Sequence, residues 1–364
     1  MSPVRMRFRE VRREAARNLA SGTSRALLLA MLLATASGTL AALDTQSMTG
    51  ELAAAAEFRE RGGSITILQL AGSIDGRVCD ALGELDGVRA AGALSEQEAP
   101  LILAGIPQNP VTSFISSAGF ATMLPESTGQ QHAGLILPAE LSETLGLDVG
   151  DPIHTASGPT VLGGTYAYPD DGRPRGMGYA AIAPGPAETL FDQCWVDAFP
   201  VTQATLDMLY TAVSADAPQS DDSPELTQHN ATLGVAADPS QTYAARSTAM
   251  FPVAAFVVSL LVGVTAVWMR RIEIASALHS GVRKADELST LLLEAFAWSM
   301  AGALTTIPII AILTQSLAAN DHLPVVLAAA LTPALSVSGA ILGTLTAALL
   351  IREQRLFVYF KGRS

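Results

Sequence analysis

Four long stretches without a charged side chain constrain this chain more than anything else in it. Ala26 to Leu43, Ser247 to Met269, Ala295 to Leu317 and Leu323 to Ile351 carry no Asp, Glu, Lys or Arg. A helix rises 1.5 Å per residue, so about 20 apolar residues cross the hydrocarbon core of a bilayer, and all four stretches qualify. Charged residues make up only 15% of the chain, against the ~25% usual for soluble domains. Gathered into four blocks, that apolar excess reads as membrane spans rather than as one large core.

The basic residues set the orientation. Residues 1–25 hold seven arginines against Glu10 and Glu14, and residues 270–290 carry Arg270, Arg271, Arg283 and Lys284. The tail carries Arg352, Arg355, Lys361 and Arg363, whereas the loop 318–322 has no Lys or Arg. Residues 44–246 hold seven arginines, no lysine and 26 acidic residues, a formal balance of −19. Short basic segments stay on the cytosolic side. The expected arrangement is therefore a cytosolic amphipathic basic helix at 1–25, a first span at 26–43, and an extracytoplasmic domain at 44–246. A second span at 247–269, a cytosolic element at 270–290 and a third span at 291–317 follow. A short outer loop at 318–322, a fourth span at 323–351 and a cytosolic tail at 352–364 complete it. The alternative for the first run is a signal peptide cleaved after Ala34-Thr35-Ala36. The run continues to Leu43, which favours a retained span.

In the N-terminal helix, Val4, Phe8, Val11, Ala15 and Leu19 share one face among arginines, a pattern that lies on an anionic lipid surface. In the large domain, residues 64–70 alternate as a strand, 75–85 read as a helix and 87–94 as a second strand. Residues 134–153 read as strand, short helix, turn and strand, and 158–184 have the short runs and turn clusters of a small β-subdomain. A strand from Cys194 and a helix through residues 201–215 then resemble the opening unit. The expected fold is an α-helical membrane protein with four transmembrane helices plus a large extracytoplasmic α/β domain, in which two α/β segments flank a β-rich insertion. Residues 216–242 read as a polar connection into the second span.

The chain has two cysteines, Cys79 and Cys194, both in that domain. Outside the cytosol, a pair without competitors is expected to form a disulfide.

Enzyme motifs are missing: there is no H-E-x-x-H, C-x-x-C or G-x-S-x-G. The five histidines are scattered, and no metal site is expected. Gly176 to Ala181 mimics a dinucleotide fingerprint but has no following helix pattern. Neither lysine, Lys284 nor Lys361, lies in a G-x-x-x-x-G-K-[ST] loop, so any ATP-driven work needs a motor on another polypeptide. No cofactor is expected in this chain, and no nucleic-acid partner.

Between the second and third runs lies a charged, helix-forming stretch, residues 270–295. The second span is expected to continue as helix through Met269 into the cytosol. Gly281 can end that helix at a left-handed C′ position, and a new helix then leads into the third span. The result is a helical corner with Arg283, Lys284, Asp286 and Glu287 near its tip. Glu294, at the edge of a span, is expected to pair with Arg270 or Arg271 rather than to relay ions. Gly339 and Gly343 form G-x-x-x-G, which serves either packing within the chain or dimerisation. Pro252, Pro308 and Pro333 are expected to kink their helices.

The stretch Arg270-Arg271-Ile272-Glu273-Ile274, followed by His279-Ser280-Gly281-Val282-Arg283-Lys284 and Leu291-Leu292-Leu293-Glu294-Ala295, resembles the signature of FtsX/MacB-type ABC transporter permeases. Residues 13–43 are similar to that family's entry into its first span, and residues 146–164 resemble a recurring stretch of its outer domain. The resemblance implies a four-span permease subunit, normally a homodimer, gripped between its second and third spans by ABC ATPase subunits that bind ATP and Mg. By position it assigns coupling to Arg270, Arg271, Glu273, His279, Gly281, Arg283, Lys284, Asp286 and Glu287, with Glu294 as the acid opening the third span. Two readings follow. One is an exporter or extrusion pump in which the separate ATPase drives motion of the outer domain. The alternative is an FtsX-like signalling mechanotransmitter acting on a cell-envelope partner. A fused ATPase domain, as in MacB proper, is absent from this sequence, and the substrate is not legible in it.

Overall fold

The computed structural model describes residues 7–125, 127–128, 134–186, 189–217, 222–234 and 239–352. Val4 and the tail residues Arg355, Lys361 and Arg363 lie outside the described residues. The chain divides into two compact units, one built from the two ends of the sequence and the other from residues 53–242.

Helix α1 (Phe8–Ala20) begins with the Arg7 backbone N–H donating to Glu10 Oε2 at 2.9 Å. Val11 and Ala15 are buried, and the helix packs along the later helix Lys284–Leu304; Phe8 stays 71% exposed. Helix α2 (Ala26–Glu60) is 35 residues long, so the first apolar run and the alanine-rich residues after it form one uninterrupted helix.

Among the described residues, the middle unit carries a nine-stranded mixed sheet. It opens with β1 (Ile65–Asp75), α3 (Gly76–Ala81) and β2 (Val88–Glu96). The Asp75 carboxylate accepts from the Arg77 and Val78 N–H groups and so starts α3. The insertion follows: β3 (Thr112–Ser116), β4 (Leu135–Pro138), α4 (Ala139–Leu145), β5 (Pro152–Thr155), β6 (Gly158–Tyr166) and β7 (Ala180–Pro184). The unit closes with β8 (Leu190–Ala198), α5 (Gln203–Leu209), capped by Thr202 Oγ1, and β9 (Glu225–Gln228).

Strand order explains how the insertion fits. β9, β1, β8 and β2 lie side by side, each antiparallel to its neighbour, with α3 joining β1 to β2 and α5 leading from β8 to β9. This is a split β-α-β arrangement, and the expected two α/β segments are its halves. β3 adds to the edge at β2 and continues the sheet as β3-β7-β4-β6-β5, with β3–β7 and β4–β6 parallel. Successive side chains of a strand point to opposite faces. Cys194, Val196 and Ala198 of β8 accordingly join Leu68, Cys79 and Leu209 in one core. Trp195 points the other way, among Ile67, Leu94, Phe120 and Tyr166. Cys79 on α3 and Cys194 on β8 form the expected disulfide.

The polar connection 216–242 is more structured than its composition implies. It contributes edge strand β9, paired with β1 from Gln69↔Glu225 to Thr66↔Gln228, and the short helix α6 (Pro239–Ala245). An edge strand has one solvated flank, so Glu225-Leu226-Thr227-Gln228 needs only Leu226 on the core and shows no apolar run.

Helix α7 (Phe251–Met269) begins four residues later than the apolar run. Pro252 falls in its first turn, where the missing N–H would have no partner anyway, so this proline starts the helix rather than kinking it. The helix also stops sooner than expected. Arg270 leaves helical geometry at φ −104°, ψ 11°, and α8 (Arg271–His279) begins after it. The other two prolines do break their helices. The third run is divided into α9 (Lys284–Leu304) and α10 (Thr306–Thr314), with Pro308 four residues after Leu304. The fourth is divided into α11 (Ala319–Ala329) and α12 (Leu331–Leu350), with Pro333 four residues after Ala329. In each case the ring removes the bond to that carbonyl and collides with it. Most of the expected loop 318–322 is the first turn of α11, and the chain reverses at residues 315–318 instead.

Among the described residues, four helical stretches are long and apolar enough to cross a membrane: Ala26–Glu60, Phe251–Met269, Lys284–Thr314 and Ala319–Leu350. Glycines bring them together. A Cβ on Gly343 would stand 2.0 Å from the Leu260 carbonyl oxygen, and one on Gly339 would stand 2.3 Å from that of Phe256. The G-x-x-x-G of α12 thus seats α7 of the same chain, with the two helices parallel. Gly302 of α9 meets the Ala30 carbonyl of α2 in the same way, at 2.8 Å.

Candidate functional site

Helices α8 and α9 form a corner in the end-derived unit. Its turn is fully hydrogen-bonded: the Gly281 N–H donates to Leu278 O at 3.1 Å and the Val282 N–H to Ala277 O at 3.2 Å. With Gly281 at φ +99°, this is a Schellman closure, which a side chain at that position would strain. Arg283, in extended conformation, is the N-cap residue of α9.

The corner is held from inside by a buried carboxylate. Glu294, 3% exposed, accepts from Arg270 Nη1 at 2.5 Å on Oε2 and from Asn18 Nδ2 at 2.7 Å on Oε1. Both carboxylate oxygens therefore have a partner, as a buried charge requires. Arg270 also reaches Glu273 at 3.2 Å, so α1, α8 and α9 meet at one guanidinium–carboxylate pair. The break at Arg270 coincides with this inward reach.

The other residues assigned to the corner separate into two groups. Lys284 Nζ donates to the carbonyls of Leu349, at 2.8 Å, and Ile351, at 3.3 Å, which closes the end of α12. Asp286 is buried, Glu287 half-buried, and the Arg271 guanidinium lies over the Trp268 ring at 5.5 Å. Ser276, His279, Ser280, Gly281 and Ala285 are exposed and form the outer surface of the corner with Glu273.

A second buried ion pair went unassigned in the sequence. Asp44 of α2, 1% exposed, lies 3.3 Å from Arg246 Nε, and the Tyr243 ring covers that guanidinium at 4.0 Å. The available signal was a carboxylate placed directly after an apolar run.

The mixed domain has a polar cluster of its own. His229, at the end of β9, lies with its ring centroid 4.5 Å from that of Trp195 and its Nε2 3.3 Å from the Tyr168 hydroxyl. Next to it, Asn230 Nδ2 donates to Arg61 O at 2.8 Å and to Asp171 O at 3.2 Å. Buried Arg173 pairs with Asp171 at 3.1 Å and donates to the carbonyls of Glu60 and Arg61. Burial, then the nearby Arg173 charge, push His229 down to about 4, with Asp171 opposing. Burial likewise raises the Tyr166 and Tyr168 hydroxyls.

That depression has a consequence for stability. An unfolded histidine titrates near 6.5, so between pH 6.5 and about 4 the unfolded chain binds a proton that the folded domain refuses. Stability is expected to fall by about 3 kcal/mol as pH drops through that window and to be level above it. His229→Gln should remove this slope in a series of urea unfolding curves; an unchanged slope would assign the acid sensitivity elsewhere.

Among the described residues, no group of His, Cys, Asp and Glu is placed to hold a metal ion. No family model matches the chain, and no curated protein does. Among solved structures, the chain is similar to the periplasmic region of MacB from Actinobacillus actinomycetemcomitans, at 8% identity and a TM-score of 0.34, over 52% of this chain and 97% of that one. A likeness that distant does not bear on function.

Proposed function

We propose that this protein is the permease subunit of an ABC-type exporter or extrusion pump in a bacterial plasma membrane. A separate ATPase subunit, which binds ATP and Mg, drives it through the α8–α9 corner. Motion of the helices is passed to the mixed domain on the outer side, and two copies of the chain form the working unit. The observation that carries this reading is the corner itself: a capped turn, locked from inside by Arg270, Glu294 and Asn18, with Ser276, His279 and Ala285 exposed on its outer surface. The resemblance of residues 270–295 to FtsX/MacB-type permeases points the same way. The basic clusters at 1–25 and 270–290 support a cytosolic side for both, where such a motor works.

Purification of the chain from its native membrane is expected to recover an ATPase whose hydrolysis rate depends on it. Ser276→Trp and Ala285→Trp alter only the exposed face of the corner. Each is expected to cut chain-dependent hydrolysis at least about tenfold, the effect of losing one strong interface contact. Thermal stability should stay within about 0.5 kcal/mol, as for other surface changes. Lys284 and Asp286 are unsuitable for this test, because Lys284 closes α12 and Asp286 is buried. Unaltered hydrolysis in both variants would sink the corner as the docking point. Recovery of a cell-envelope hydrolase without any ATPase would identify a signalling mechanotransmitter instead.

A further inference from the structure

The mixed domain contains a cavity of about 790 Å³ whose chemistry runs against that of its surroundings. Residues 53–242 have no lysine, and their only cations besides histidine are Arg59, Arg61, Arg77, Arg89, Arg173 and Arg175, in a strongly acidic segment. Three of those six, Arg59, Arg89 and Arg173, line this one cavity, with Glu60 and Glu140 as the acids on its wall. Met123, Leu124, Pro125, Ala139, Ala167 and Pro169 give it an apolar flank, and Tyr168 lines it as well.

The arginines are differently committed. Arg173 is buried and satisfied by Asp171 and backbone carbonyls, so it contributes field rather than free donors. Arg89 is held in place from below. Its Nε and Nη2 both donate to Asp197, which is itself buried and accepts from Ser64 Oγ at 2.6 Å, yet the Arg89 side chain is 62% exposed. A guanidinium has five N–H donors, and Asp197 engages two, so donors remain on a side chain fixed at the cavity wall. Arg59 rests over the Phe199 ring at 5.3 Å and donates to Ala55 O at 3.3 Å, with no ion pair to an acid among the described residues. Guanidinium groups pair with carboxylates and phosphates through two parallel bonds, which an ammonium does not.

We infer that this cavity is a binding site for a small anionic amphiphile, its carboxylate or phosphate head taken by Arg59 and Arg89 and its apolar part lying along Met123, Leu124 and Pro125. The net negative charge of the domain would favour cations by attraction at a distance; the cavity selects the opposite sign at contact. A volume of this size lies within the usual range for small-molecule pockets. The site does not depend on the reading of the α8–α9 corner, because binding needs neither nucleotide nor a partner chain.

The test uses the full chain in phosphatidylcholine nanodiscs, titrated calorimetrically with octanoate, octyl phosphate and octyltrimethylammonium, with empty discs subtracted. At least one anion is expected to bind saturably and the cation is not. A preference for octanoate points to a fatty-acid-type head, and a preference for octyl phosphate to a phospholipid-type head. Arg59→Gln should weaken anion binding at least about tenfold, the value of one charge-assisted hydrogen bond. Ala139→Trp should abolish binding by filling the cavity without altering charge. Arg89 is left intact, because removing it would strand buried Asp197. Absence of saturable binding by both anions, equal binding of the cation, or unchanged affinity in both variants would overturn the assignment.

Discussion

Arg270→Met is expected to destabilise the end-derived helical unit by about 3–5 kcal/mol, the cost of removing one partner from a buried ion pair. The loss comes less from the missing attraction than from what remains. Glu294 is 3% exposed and would keep its bond from Asn18, but its Oε2 would face no donor among its present contacts. Arg270→Met/Glu294→Met should recover most of the loss, since apolar side chains of similar length can replace a buried pair at little cost. Glu294→Gln should cost less than Arg270→Met, because Arg270 retains Glu273 at 3.2 Å. Thermal unfolding of the detergent-solubilised chain, followed for all three variants, reads these differences. If Arg270→Met unfolds within about 0.5 kcal/mol of the parent, the pair does not hold the corner, and its proposed rigidity goes with it.

The membrane-spanning part of this fold was legible because its signals are large and local. Uninterrupted apolar runs and a glycine between two helical patterns each have one dominant physical reading, and Gly281 closes α8 in the left-handed conformation it was read for. Helix interruptions were only partly legible. Pro308 and Pro333 sit just past breaks, whereas Pro252 sits in a first turn, and the difference lies in where the helix begins, which the proline alone does not specify. The break at Arg270 has no glycine or proline to announce it. The pairing of its side chain with Glu294, 24 positions away, was one of the two expected, but that this reach interrupts the helix shows only in the tertiary structure.

In the mixed domain, the flanking halves carried the period-two pattern of half-buried strands and could be read from it. Strand β9 could not, because Glu225-Leu226-Thr227-Gln228 is polar, lies in a polar stretch and owes its conformation to pairing with β1. Missing β9 also meant missing His229 and Asn230 at its end, which join Tyr168, Arg61 and Asp171 in the buried cluster. The cavity was hidden for a related reason. Arg59, Arg89 and Arg173 come from the end of α2, from β2 and from the loop after β6, and no spacing in the sequence brings them together.

Cys79→Ala/Cys194→Ala is expected to lower the stability of the mixed domain by about 5 kcal/mol. The bridge joins residues 115 apart, and in the chain-entropy model a closed loop of that length restricts the unfolded ensemble by this much at 25 °C. The loop is long because it contains the whole insertion from β3 to β7. Without the bridge, the halves of the split β-α-β arrangement must find each other across that insertion through strand pairing, β8 between β1 and β2 and β9 on β1, and through the core that includes Leu68, Val196 and Leu209. Both cysteines are fully buried in that core, so the alanines also leave a small void, which adds to the loss. Urea-dependent proteolysis of the full chain in nanodiscs, parent against variant, measures the shift. A midpoint that moves by the equivalent of less than about 1 kcal/mol would mean that the unfolded domain already keeps its halves together. In that case strand pairing, rather than the covalent link, would be what tolerates an insertion of this size.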